Sequence, residues 1–168
     1  MADIDKQMNK IGFATVTIGD KVIPAEEYFK NNNPGNIKVS SDWTGNFYLG
    51  KQYYGAVDKP LPKIKYKKFD TKAEGLADII TTIKKYNTNS LNEIINTYTG
   101  DDESGETYKN YYKDLTEKWD VPEIIDFNND EHIGGLMKGI TDVENPPASM
   151  GYYLLNDYMD ALKLLEGK

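Results

Sequence analysis

From residue 71 onward, apolar side chains recur at helical spacing in five successive stripes, which restricts the chain to a helix-dominated fold. Leu76, Ile79, Ile80 and Ile83 form the first stripe, and Leu91, Ile94, Ile95 and Tyr98 the second. Tyr108, Tyr111, Tyr112, Leu115 and Trp119 form the third, read as core rather than as an aromatic platform for sugars. Ile133, Leu136, Met137 and Ile140 form the fourth, ending on Glu144. Leu154, Tyr158, Ala161, Leu162 and Leu165 form the fifth. Thr71 with Glu74, and Ser90 with Glu93, have the spacing of capping boxes and mark two helix starts. The Leu76–Ile83 and Tyr108–Trp119 helices are expected to pack together.

The first seventy residues behave differently. Phe13 to Ile18 alternates apolar and polar residues, Gly19-Asp20 suits a two-residue hairpin turn, and Lys21 to Ile23 can return as a second strand. Pro24 can open a short helix with Ala25, Tyr28 and Phe29 on its apolar side. Asn31-Asn32-Asn33-Pro34-Gly35-Asn36 must turn, and Gly35 is expected to need either a positive φ or a backbone approach too close for a Cβ. Ile37 to Phe69 reads as short strands and long loops. The expected fold is α+β, predominantly helical, with a small irregular β region. It is one domain over 1–168: a hairpin and short helix over 1–30, a β/loop region over 31–69 and helices over 70–168.

Composition narrows the chemistry. There is no cysteine, which removes thiol nucleophiles, and one histidine, His132, which removes zinc sites built on two or three imidazoles. His132, beside Glu131 near a helix start, is read as structural before catalytic. All 20 basic residues are lysine and the net charge is −7, which argues against nucleic-acid partners. Lys63, Lys65, Lys67 and Lys68 form a basic stretch, read as a solvated strand edge before an anion site. Asp101-Asp102-Glu103 does not match the spacing of a calcium loop and reads as solvated. No metal or cofactor is expected. No apolar run approaches the ~18 residues of a membrane span. Met1 to Lys10 lacks the apolar core of a signal peptide, so a protein acting outside its host is expected to leave by another route.

Carboxylates must therefore carry any proton transfer, and Glu144 is physically distinctive. It shares the buried face of Met137 and Ile140, and Pro146 and Pro147 disfavour helix beyond it. The negative end of the helix dipole and partial burial both raise its pKa, which suits a general acid. The competing reading is a glutamate facing solvent at a frayed helix end.

Asn31-Asn32-Asn33-Pro34-Gly35-Asn36-Ile37 resembles the Asn-Asn-Pro-Gly-Asn-Ile signature of a phage virion-associated family similar to lysozyme and lytic transglycosylase folds. Trp43-Thr44-Gly45, Phe69-Asp70 with Gly75-Leu76-Ala77, Tyr86 with Leu91 to Tyr98, and Ile140 to Asn145 resemble further landmarks in the family's order. The match runs from about Asn31 to Leu165. Lys30 replaces the family's arginine, Glu103 to Thr107 echoes its acidic segment only loosely, and Pro146 replaces a glycine.

The resemblance implies a lysozyme-like fold, circularly permuted because the glutamate follows the β region. It implies cleavage of peptidoglycan glycan strands, with Glu144 as general acid/base and Asn32, Asn33, Asn36 and Trp43 lining the cleft. For the asparagines, turn formation is an equal reading; for Trp43, core packing is the stronger one. A hydrolase needs a second carboxylate, for which Asp42 and Glu27 are the early candidates, whereas a lytic transglycosylase works with one glutamate, the arrangement favoured here. The resemblance also implies a phage virion, or a host cytoplasm before release, with action on the bacterial cell wall. Partners would be glycan strands and other virion or tail proteins. The alternative is a non-catalytic structural virion or tail protein of the same fold, with glycan binding without cleavage as a variant.

Overall fold

The computed structural model describes residues 15–18, 21–52, 59–145 and 152–166. Thr15–Ile18 (β1) and Lys21–Pro24 (β2) pair antiparallel, and Ala25–Phe29 (α1) follows directly from Pro24, as the alternation and the proline predict. The Gly19-Asp20 turn, Phe13, Met1 to Lys10 and Pro146-Pro147 lie outside the described residues, as do the side chains of Ala25 and Lys63.

Phe47–Gln52 (β3) and Lys59–Lys67 (β4) form a second antiparallel pair, with a register shift at Leu49/Gly50. The 37–39 segment runs along the other side of β4. There the Val39 N–H donates to the Lys65 carbonyl and the Lys67 N–H to the Ile37 carbonyl, both at 2.9 Å. Lys65 to Lys67 is thus flanked on both sides, which corrects the reading of the lysine stretch as a strand edge. Lys67 is only 4% exposed; it pairs with Asp78 at 2.9 Å and lies over the Trp43 ring.

Five longer helices occupy the rest: Lys72–Lys84 (α2), Leu91–Thr99 (α3), Glu106–Lys113 (α4), Asp130–Glu144 (α5) and Leu155–Glu166 (α6). Thr71 Oγ1 accepts the Glu74 N–H and Ser90 Oγ accepts the Glu93 N–H, so both predicted caps form. α4 continues into a π-helical turn, Asp114–Lys118, instead of running as one regular helix to Trp119. The five stripes converge in one core, with Leu76, Ile79, Ile80, Ile83, Leu91 and Leu136 fully buried. Burying each such side chain contributes about 1.5–3 kcal/mol relative to leaving it in water. α2 packs chiefly on α6 and α5, while α4 packs on α3 and α5. The first and third stripes share one core, with α5 as common neighbour. The fold is α+β and predominantly helical.

The Asn-Pro-Gly loop joins these parts. Asn33 is buried; its amide donates to the carbonyls of Ile37 and Lys67 and accepts the Ile37 N–H. Positive φ falls on Asn32 (52°) and Asn36 (49°), not on Gly35. Gly35 is required by the other route, close approach: a Cβ there would sit 2.5 Å from Tyr98 Oη and 2.8 Å from Ile79 Cγ1. Gly75 of α2 meets the same loop from below, where a Cβ would come within 1.7 Å of the Asn32 carbonyl oxygen.

Gly35→Val and Gly75→Ala should therefore each destabilise the protein by about 1–3 kcal/mol, the scale of overpacking. Gly134, mid-helix with open space around its missing Cβ, is the contrast. Gly134→Ala should stabilise by about 0.5–1 kcal/mol through helix propensity. Denaturant melts of the three variants check the set; unchanged stability in Gly75→Ala would show that the loop does not rest on α2.

Candidate active site

Glu144 ends α5. Beyond it Asn145 is extended (φ −125°, ψ 158°), the conformation a following proline favours. The Asn145 amide donates to the Thr141 carbonyl at 2.8 Å, capping the helix, and to the Pro34 carbonyl at 2.6 Å. Asn36 Nδ2 donates to the Glu144 backbone carbonyl at 3.1 Å and to Oε2 at 2.9 Å. Tyr98 Oη donates to the Gly35 carbonyl at 2.5 Å. Asn145 and Asn36 thereby tie the end of α5 to the loop, Tyr98 of α3 holds the loop from another side, and the glutamate is brought against the asparagine tract.

The tract, the end of α5 and one face of the small sheet enclose an open groove of about 1040 Å³. Glu144 is half-buried in it. Burial raises its pKa, while the Asn36 hydrogen bond and the charge of Lys38 pull the other way; the net shift is upward. Tyr66 and Tyr98 stand near enough to feel that charge. Burial first, then Glu144, raises both phenol pKa values, so both remain neutral hydroxyls near the carboxylate. Tyr111, on the groove wall, has a buried hydroxyl with no hydrogen-bond partner among the described residues. The groove thus offers a carboxyl group with a raised pKa, amide groups and phenols. It has the equipment for proton exchange with a polyhydroxylated ligand.

The predicted site residues divide. Asn32, Asn33, Asn36 and Glu144 line the groove together. The Asn33 amide is spent on backbone groups, which makes it a scaffold for the loop and leaves little of it for a sugar. The Asn32 amide donates to the Phe69 carbonyl. Trp43 is not among the groove residues, in contrast to the expectation drawn from the family. Its ring packs edge-on to Phe69, and its Nε1 donates to the Asn46 carbonyl at 2.9 Å. Of the two candidate second carboxylates, Glu27 lines the groove and pairs with Lys30 at 2.6 Å. Asp42 lies elsewhere, exposed. Hydrogen bonds from Lys85, first, and Ser40 hold it well below the usual carboxylate range, so it is no proton donor.

His132 Nδ1 accepts the Asp126 N–H, fastening the turn before α5, a structural role. In the 101–105 loop Asp102 accepts from the Ser104 N–H and hydroxyl, and among the described residues no carboxylate or imidazole cluster could hold a metal ion. No described helix is long and apolar enough to cross a membrane. Lys38, Tyr48 and Tyr66 are groove residues that the sequence did not single out, whereas Lys68 belongs to the lysine stretch for which an anion site was the lesser reading; the period-two placement of Tyr66 and Lys68 was the available signal. No protein-family model and no curated protein matches this chain.

The raised pKa of Glu144 carries a signed consequence for stability. Because folding lifts the pKa of Glu144 above its ordinary 4.5, the folded state holds the proton more tightly than the unfolded chain. That contribution is fully present below the unfolded pKa and is lost as pH rises through the folded value. Glu144→Gln should accordingly melt at or above the wild-type temperature at neutral pH, with the gap closing as pH falls below about 4.5. A variant less stable than wild type at neutral pH, or a gap that widens on acidification, would show that the ionised carboxylate is a net stabiliser.

Proposed function

We propose that this protein cleaves the β-1,4 glycan strands of peptidoglycan, with Glu144 as general acid/base, in a lysozyme-like arrangement circularly permuted relative to the usual chain order. The observation that carries the reading is the half-buried Glu144 at a helix C-terminus, facing a groove beside a small β wall. Protonated, Glu144 donates to the glycosidic oxygen as the bond breaks. The carboxylate left behind then accepts a proton, from water in a hydrolase or from the sugar's own hydroxyl in a transglycosylase. Asn36 orients the carboxyl group. Glu27 is the only other carboxylate the groove presents among the described residues, and it is paired with Lys30. We favour the one-glutamate, transglycosylase route. A role in a phage virion, or release from a host cytoplasm onto the cell wall, belongs to the same proposal.

One observation favours a second reading, a structural virion or tail component that binds glycan without cutting it. Glu144 accepts from Asn36 through both its backbone and its side chain, so the residue also fastens the loop to α5.

Glu144→Gln separates the two. The amide keeps shape and hydrogen bonding but cannot release a proton, so product release from purified peptidoglycan should fall at least ~10²-fold while glycan still binds. Glu166→Gln, on an exposed glutamate at the end of α6, should leave release unchanged. Mass analysis of the products reads the route: anhydro ends for a transglycosylase, reducing ends for a hydrolase. Full activity in Glu144→Gln removes the catalytic assignment, and a wild-type protein that binds glycan but releases nothing establishes the structural reading.

A further inference from the structure

We infer that the groove selects an anionic glycan, one bearing carboxylates along the strand, through a lysine–tyrosine row on the sheet face opposite Glu144. The inference rests on the groove being a glycan site and adds the substrate's charge class. Three registered positions build the row. Lys38 bridges to Tyr66, and Tyr66 pairs with Tyr48 on its other side, so the three side chains stand abreast on one face. Lys68 lies two residues past Tyr66 and returns to that face, its N–H still bonded to the Asn46 carbonyl. All four line the groove.

The chemistry of the row matches a charged sugar polymer. Tyr48 and Tyr66 stack at 5.5 Å with planes 23° apart, presenting apolar ring surface with polar tips to a flat ring. Lys38 and Lys68 flank them, both exposed, and neither forms an ion pair with a described residue. Other lysines nearby are ion-paired, Lys67 to Asp78, Lys85 to Asp42 and Lys30 to Glu27, while Lys65, on the other face of the sheet, lies over the Phe47 ring. In a chain of net charge −7, two uncommitted ammonium groups on the wall of the groove favour carboxylates on the ligand. A neutral glycan of the same backbone would use the tyrosines and gain nothing from the lysines.

The test is binding by the Glu144→Gln protein, which removes turnover, to two ligands of equal length. One is peptide-free peptidoglycan glycan, with a free lactyl carboxylate on every second sugar; the other is a neutral N-acetylglucosamine oligomer. At low salt the carboxylated strand should bind roughly two- to thirtyfold tighter, the scale of two exposed ion pairs. The preference should vanish on adding Lys38→Met and Lys68→Met together, and in the unmutated row on raising salt to about 0.5 M. Lys65→Met, exposed on the opposite face over Phe47, should leave it intact. Equal affinity for the two ligands, absence of binding to both, or a preference that survives the double substitution overturns the inference. Cleavage by wild type without any preference leaves the catalytic reading standing alone. A preference without cleavage keeps the inference and removes catalysis.

Discussion

The Asn33 side chain holds together the part of the molecule on which the groove depends. Buried backbone groups need partners, and an irregular loop cannot supply them from its own regular pattern. One amide here serves Ile37 on both its N–H and its carbonyl, and reaches the carbonyl of Lys67 across the chain. That fixes the loop to the central strand of the small sheet through contacts that involve no helix. With Asn32 and Asn36 taking the left-handed conformations, Gly35 is left in ordinary backbone geometry. Its missing side chain instead admits Tyr98 and Ile79. The asparagines bend the chain and the glycine lets the helices reach it.

Opposed electrostatic terms act on Glu144. The end of α5 and partial burial both disfavour a carboxylate, whereas the Asn36 donor and Lys38 favour it. Asp42 shows what happens without that opposition: exposed and bonded to Lys85 and Ser40, it is locked in its charged form. A group that must both give and take a proton works best between these extremes. Position and acidity are coupled here, because the asparagine that aims Glu144 is also the one that restrains its pKa.

The helices were legible because burial on one face of a helix leaves a periodic trace: Leu76, Ile79, Ile80 and Ile83 all reach zero exposure. The capping residues at Thr71 and Ser90 were equally readable, since their partners lie three residues away. Glu144 was legible for the same local reason, as the last position of a buried stripe ahead of two prolines. What failed depended on pairing between distant segments. Lys67 looked like a solvated edge residue, but the 37–39 segment covers β4 on its second side and Asp78 of α2 supplies the counter-charge. For Trp43, core packing was the stronger reading over cleft stacking, and Phe69 and Lys67 do pack against its ring. The π-helical turn before Trp119 leaves no mark in spacing, because the apolar positions on either side still fit an α-helical stripe. The row Lys38, Tyr66, Tyr48 exists only once strand register is known, and register is a property of pairs, not of a single segment.

That row also bears on how an acidic protein can hold an acidic polymer. Long-range attraction is not available, since the net charge of −7 repels an anionic strand at a distance. At physiological ionic strength the repulsion is screened beyond about 8 Å, so the approaching strand feels mainly the charges of the groove itself. Lys38 and Lys68 then act at contact, where they discriminate between ligands without steering them. The same proximity places Lys38 near Glu144, so a carboxylate that engages this lysine withdraws part of the positive potential holding the glutamate ionised. Ligand charge and the proton affinity of Glu144 are thereby linked through one ammonium group. On the proposed reading, an anionic strand would move the glutamate toward its protonated form as it binds, the form from which a glycosidic oxygen would receive its proton.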